Sequence, residues 1–320
     1  LTRIVFFAFA SFARPLFRLV VYYLGLMSAC YSAPVHAEIP VWVLQSHDGP
    51  PYQQALSGFK EKLATARRDA VYTLFNLNDA ASVTQFLQRL AIDAPRLILT
   101  LGTPATRFAQ QHATATPIVA SLIIDKTSLK ASPWVTGVTL HFAADLQWQW
   151  LRRLLPDAET IAVLYDSKQP EDFDAVQKQA LASAVTLIPI AIEDLQQLPR
   201  FIEALPRQLD ALWIMQGGAY NMAAIRELLL YSFRHRVPLI GLSAQWVKAG
   251  ALYALDWDYH DLGAQAAELA IEILSKNVSP DALPLYAPRK VRSIVNLKTA
   301  EHMKLSLDAR VMSDIAEVLQ

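Results

Sequence analysis

From residue 41 onward the chain alternates between two periods. Short β-branched apolar runs are followed by longer stretches whose apolar residues recur at helical spacing, and this pattern constrains the fold more than any other feature. Val41–Gln45, Val71–Asn76, Leu97–Leu101 and Ile118–Ile123 read as strands, and 51–67, 79–93 and 103–113 as the intervening helices. Ala55, Phe59 and Leu63 fall on one face of the first helix. Asp79 has the chemistry of an N-cap, and Pro104 suits a helix's first turn. The strands are continuous apolar runs, as a parallel sheet covered on both faces requires. The segment 126–133 breaks the pattern, and Val135–Leu140 reads as a strand leading away from this first unit.

A second set follows. Helices at 145–155, 173–181, 194–204 and 220–234 alternate with strands at 161–165, 185–190, 211–215 and 238–242. The tail adds a strand at 251–255, a long helix at 259–276, a strand at 291–296 and terminal helices, which together would complete both sheets by crossing between them. At 320 residues, 53% of them hydrophobic and 18% charged, the chain has the length and apolar content for two cores. The expected fold class is therefore α/β, with two doubly wound parallel-sheet lobes joined by a multi-strand hinge. The expected division is 1–37 as a signal peptide, 38–140 with 255–280 as the N-terminal lobe, and 141–254 with 281–320 as the C-terminal lobe.

The first 37 residues carry Arg3, Arg14 and Arg18 and no acid, followed by the apolar run Leu19–Ala29. That run is short for a membrane span and suits an export signal, so a periplasmic protein is expected. Val35-His36-Ala37 has the small residues of a cleavage site. Met27-Ser28-Ala29-Cys30 approaches a lipoprotein box, with Met where Leu is usual, and makes a lipid anchor on Cys30 the alternative. Cys30 is the sole cysteine, so cleavage after Ala37 leaves no disulfide, thiolate metal site or cysteine nucleophile. The chain holds 29 basic and 29 acidic residues; three of the basic ones lie in the first 37, so 26 face 29 in the remainder. That balance lacks the basic footprint of a nucleic-acid binder. The seven histidines are scattered without metal-ligand spacing. No Walker pattern, Gly-x-Gly-x-x-Gly or Gly-x-Ser-x-Gly is present, so neither a metal nor a nucleotide cofactor is expected.

Several stretches, taken in order, resemble the ABC transporter substrate-binding family that includes tryptophan-binding and related amino-acid-binding lipoproteins. They are Leu99-Thr100-Leu101-Gly102-Thr103-Pro104-Ala105, Thr116-Pro117-Ile118-Val119 and Val135-Thr136-Gly137-Val138, then Lys248-Ala249-Gly250-Ala251-Leu252 with Asp261-Leu262-Gly263, and Asn296-Leu297-Lys298-Thr299-Ala300. The chain departs from the family at His302-Met303-Lys304-Leu305 and at Gln216-Gly217-Gly218-Ala219-Tyr220. The resemblance implies a type I periplasmic binding fold, capture of a small polar solute such as an amino acid, and ABC permease subunits as partners of a monomeric, non-enzymatic protein. A ligand-sensing subunit for a membrane receptor is the alternative. A two-domain enzyme using His47 and Asp48 is a further one.

Ligands of doubly wound sheets sit beyond the carboxyl ends of the strands, which selects the candidate residues. Gly102 and Thr103 end one strand and open a helix whose free N–H groups would attract a carboxylate. Ser46 and Tyr52 follow the first strand, and Ser121 the fourth. In the second lobe Tyr165 and Gln216 occupy matching ends, and Gly217-Gly218 could turn around a phosphate. Asp256-Trp257-Asp258-Tyr259 sets carboxylates beside aromatics, a combination suited to a cationic amine. The competing assignments there are Asp258 as a helix N-cap and Trp257 as a hinge plug.

Overall fold

A computed structural model describes residues 38–66, 70–124, 126, 129, 132–206, 208–216 and 220–320. The expected signal segment, Cys30 and Gly217-Gly218 lie outside the described residues. Within 39–320 the chain builds two sheets, each with helices on both faces.

The first sheet contains β1 (Ile39–Gln45), β2 (Ala70–Asn76), β3 (Leu97–Leu101), β4 (Ile118–Ile123) and β5 (Val135–Thr139). Its order is β2-β1-β3-β4-β5, and every pair is parallel. Strand periodicity divides β1 between two cores. Val41 and Val43 face α1 (Pro50–Thr65), through Phe59 and Leu63. Trp42 and Leu44 face α2 (Ala80–Leu90) and α3 (Thr103–His112), through Phe86, Ala105 and Ala109. Phe59 and Leu63 are fully buried, which contributes roughly 2 kcal/mol each. Asp79 caps α2 by accepting from the Ala81 N–H.

The second sheet contains β6 (Thr160–Asp166), β7 (Thr186–Ile192), β8 (Ala211–Ile214), β9 (Leu239–Gly241), β10 (Tyr253–Trp257), β11 (Val291–Asn296) and β12 (Glu317–Leu319). Its order is β12-β11-β10-β9-β8-β6-β7, with β11 antiparallel to β10. One face packs Ile161, Val163 and Trp213 against α4 (Ala144–Leu154) and α5 (Pro170–Ala182). The other packs Leu164, Leu212 and Ile214 against Leu198 of α6 (Leu198–Glu203), Leu228 of α7 (Met222–His235) and Trp246 of α8 (Ala244–Ala249).

The chain crosses between the sheets three times. After β5 it enters the second sheet. After β10 it returns as α9 (Tyr259–Lys276), whose Leu262, Ala266 and Ala270 join the first core. A segment through Tyr286 then leads to β11, α10 (Leu297–His302), α11 (Ala309–Met312) and β12. α9 lies directly on α1. A Cβ on Gly263 would stand 1.8 Å from the Ala55 carbonyl oxygen, and one on Gly58 1.9 Å from that of His260. Only glycine permits that approach. The crossings are tied together: Thr139 N–H donates to Tyr286 O at 2.9 Å, Tyr286 N–H to Gly137 O at 3.0 Å, and Trp257 Nε1–H to Leu140 O at 2.8 Å.

Two details sharpen the reading of the sequence. Val135–Thr139 pairs with β4 as the edge of the first sheet before the chain leaves it, and it is buried along its whole length, with the Thr136 and Thr139 hydroxyls donating to the Pro284 and Tyr286 carbonyl oxygens. The tail's strands β10, β11 and β12 all extend the second sheet, including residues 255–257, while its long helix covers the first. Small residues suit α9 to close helix packing rather than to a strand connection.

Candidate functional site

The carboxyl ends of both sheets open onto a cleft of about 300 Å³. The first lobe contributes Pro51 and Tyr52 from α1, with Leu122 and Ile124 from the end of β4. Leu140 and His141 come from the first crossing, and Trp257 and Tyr259 from the second. Gln216 and Leu242 follow β8 and β9. The β4 register shifts between Ala120 and Ile123, and Leu122 takes the left-handed region at φ 61°. Such a bulge re-aims side chains, and here Leu122 becomes part of the cleft wall.

Most of the lining is apolar, and none of these ten residues is Lys, Arg, Asp or Glu. The polar atoms are therefore few. Gln216 Oε1 accepts from the Phe142 N–H at 3.0 Å, which orients the amide and leaves its NH2 for a bound molecule. The Trp257 ring stacks on Phe142 with centroids 5.6 Å apart and planes at 12°, and lies 6.1 Å from the Tyr259 ring. Burial raises the Tyr52 phenol above its ordinary value. Burial raises Tyr259 further, with help from the charge and hydrogen bond of Asp256. Both phenols stay neutral across the physiological range.

The structure gathers Tyr52, Gln216 and Trp257 on the cleft. Other candidates serve the fold around it. Ser46 is buried, and its Oγ accepts from the Ala105 N–H at 3.0 Å, capping α3 from another strand. Gly102 sits at φ 93° beneath Ser46 and Tyr52. Thr103 Oγ1 accepts from the Ile124 N–H at 3.2 Å. Ser121 is buried, its Oγ donating to Leu262 O at 3.5 Å. Tyr165 stacks on Phe173, centroids 4.6 Å apart. Asp256 is buried and accepts from the Ala244 N–H at 3.0 Å and the Trp257 N–H at 2.8 Å. Its charge is thereby spent on the start of α8 and its own strand end. Asp258 accepts from the Asp261 N–H and caps α9. His47 Nδ1 lies 2.9 Å from Asn78 Nδ2.

The family model for ABC transporter substrate binding proteins matches residues 38–319. The chain belongs to that family. A tyrosine-binding protein from Clostridioides difficile (strain R20291) is 23% identical over 244 residues, covering 72% of this chain and 70% of that protein. A ligand-free, open substrate binding protein with adhesive properties from Clostridium difficile has a TM-score of 0.71 at 19% identity, over 88% of this chain and 99% of that one. The ABC domain from Streptococcus pneumonia in complex with L-Trp has a TM-score of 0.63 at 20% identity, over 88% of this chain and all of the other. The solved structures share the fold.

For a substrate binding protein of this family, the lining residues that motif reading passed over are Pro51, Leu122, Ile124, Leu140 and His141. Most are apolar and look like core in a sequence; their position just past a strand's carboxyl end is the signal they do carry. Two wider grooves, of about 470 and 580 Å³, flank α7 on the outer surface of the second lobe, away from the strand ends. No helix among the described residues is long and apolar enough to cross a membrane, and no group of three or more His, Cys, Asp or Glu is placed to hold a metal.

Proposed function

We propose that this substrate binding protein captures an amino acid with an aromatic or large apolar side chain in the cleft between its lobes and delivers it, as a periplasmic monomer, to the permease subunits of an ABC transporter, with no chemistry on the solute. The observation that carries the reading is the lining itself: aliphatic walls from both lobes, three aromatic rings, and a few fixed polar atoms. Clefts of this kind hold a ligand by shape and apolar contact, and a small number of polar groups fix its orientation. A volume of about 300 Å³ is at the lower end for such sites.

A lining without Lys, Arg or carboxylates disfavours solutes of high net charge, because an unpaired charge held there would lose its hydration. A zwitterion of zero net charge suits it. The solute's ammonium group would lie against the Trp257 and Tyr52 faces and the Tyr259 oxygen. The Gln216 NH2 would donate to its carboxylate. This replaces Asp256 and Thr103 as ligand contacts, since both are engaged by backbone N–H groups. The relatives that bind tyrosine and tryptophan agree in solute class. Mass spectrometry of small molecules released from the purified protein by denaturation tests the reading. It is supported by an aromatic or large apolar amino acid at near one per chain, and refuted by a sugar, a phosphate ester or a polyamine in that amount.

A further inference from the structure

One polar cluster joins the two lobes at the cleft rim. Lys126 and Ile124 follow β4 of the first lobe, His141 lies in the first crossing, and Glu171 and Asp172 form the first turn of α5 in the second lobe. Lys126 Nζ lies 2.6 Å from Asp172 Oδ1 and 3.4 Å from Glu171 Oε1. His141 Nε2 meets the Ile124 carbonyl oxygen, and its Nδ1 stands 3.4 Å from Asp172 Oδ2. Asp172 Oδ2 is itself buried and accepts no hydrogen bond among the described residues.

His141 is thus placed between two acceptors. A neutral imidazole carries one N–H and one lone pair. The Ile124 carbonyl can only accept, so the neutral ring must keep its proton on Nε2. Its Nδ1 lone pair then confronts a carboxylate oxygen, with nothing to share. An imidazolium, with a donor on each nitrogen, satisfies both contacts and supplies the partner that Oδ2 lacks.

We propose that His141 is a proton-operated clasp between the lobes: protonation completes a link from the Ile124 carbonyl to Asp172 and stabilises this arrangement of the lobes over one in which they part. The Lys126–Asp172 pair holds the rim at any pH in the physiological range, and His141 adds a part that depends on acidity. Among the described residues, the charged and titratable groups around the ring are Lys126, Glu171 and Asp172, with the neutral phenols of Tyr52 and Tyr259 across the cleft. Burial alone would raise the Asp172 carboxyl; His141 and Lys126 outweigh it and hold it below its ordinary value. The carboxylate is therefore ionised wherever histidine gains its proton. Acidification should favour the joined lobes and so, on the capture reading above, slow the release of a bound solute.

The test needs no ligand, so its failure is separable from failure of the capture reading. Spin labels at Gln54→Cys on α1 and Lys178→Cys on α5, in the full chain carrying Cys30→Ser, report the distance between lobes. The ratio of joined to parted lobes should rise ~2- to 5-fold between about pH 8 and about pH 5.5, the effect of one partly exposed ion pair. His141→Gln and Asp172→Asn should each abolish that rise. A flat ratio in the chain without these two changes, or an undiminished rise in His141→Gln, overturns the proposal. Nitrogen NMR of the unsubstituted chain gives a second readout independent of how the variants fold. It should show the proton of the neutral His141 ring on Nε2; a neutral ring with its proton on Nδ1 overturns the proposal.

Discussion

Replacing Gly102 by alanine tests whether the cleft is set by the way α3 is capped. Gly102 occupies φ 93° and ψ 152°, a region that residues with a Cβ avoid, and a strained residue there costs about 1–3 kcal/mol. A Cβ would also stand 2.7 Å from Ser46 Oγ and 3.3 Å from Tyr52 Cε1. Ser46 would be driven off the Ala105 N–H, losing a cap of about 1 kcal/mol. The lower entropy of the unfolded alanine chain offsets roughly 0.5 kcal/mol. The net destabilisation is about 1.5–3.5 kcal/mol, which at ~2 °C per kcal/mol lowers Tm by ~3–7 °C in a chain of this size. Because Tyr52 is pushed as well, solute affinity should fall along with stability. The assay is a cycle of Gly102→Ala, Ser46→Ala and the double variant by denaturant unfolding. Ser46→Ala alone should cost about 1 kcal/mol. The double variant should cost less than the sum, because the Oγ clash and the cap are already gone. A Gly102→Ala protein within about 0.5 kcal/mol of the parent would refute the reasoning, since backbone strain alone exceeds that.

Two further substitutions probe the hinge and the back of α9. Trp257→Phe keeps the ring on Phe142 and removes the N–H bonded to Leu140 O; a net hydrogen bond of ~1 kcal/mol predicts about that loss of stability in urea titration, with little change in fold by circular dichroism. Arg289 bonds the buried Asp261 carboxylate through Nε at 2.9 Å and Glu268 through Nη1 at 2.9 Å. Burial alone would raise the Asp261 carboxyl, but Arg289 and Lys290 outweigh it and hold it below its ordinary value. A depressed carboxyl contributes stability in full above its unfolded pKa of about 4 and loses it as pH falls through the lower folded value. Arg289→Met should therefore be less stable than the parent at neutral pH, and the difference should shrink below about pH 4 in urea titrations at each pH.

The βα alternation was legible because strands buried on both faces are written as unbroken apolar runs, as in Leu97–Leu101 and Ile118–Ile123. Short elements were not. α8 has six residues and β12 three, too few to show a period. The side to which the tail belongs was also hidden, because Gly58 and Gly263 specify a close helix contact only once both helices are placed. The site was legible as a location more than as a set of contacts. Strand ends pointed to the rim where the cleft lies, and Tyr52, Gln216 and Trp257 line it. Ser46, Thr103, Ser121 and Asp256 were chosen for their polarity, and a buried fold needs that polarity for its own N–H and carbonyl groups. His141 and Asp172 meet only through the folded crossing, and neither neighbours the other in sequence.

Calorimetric titration of the purified full chain with L-tyrosine, L-tryptophan and L-phenylalanine, beside a hexose and a polyamine, tests capture in the cleft most directly, with Gln216→Leu titrated in parallel. The account predicts saturable one-to-one binding of at least one aromatic amino acid, weakened about tenfold or more in Gln216→Leu by loss of a hydrogen bond to a charged carboxylate. Tight binding of the hexose or the polyamine without any aromatic amino acid, or aromatic binding indifferent to Gln216, would contradict it.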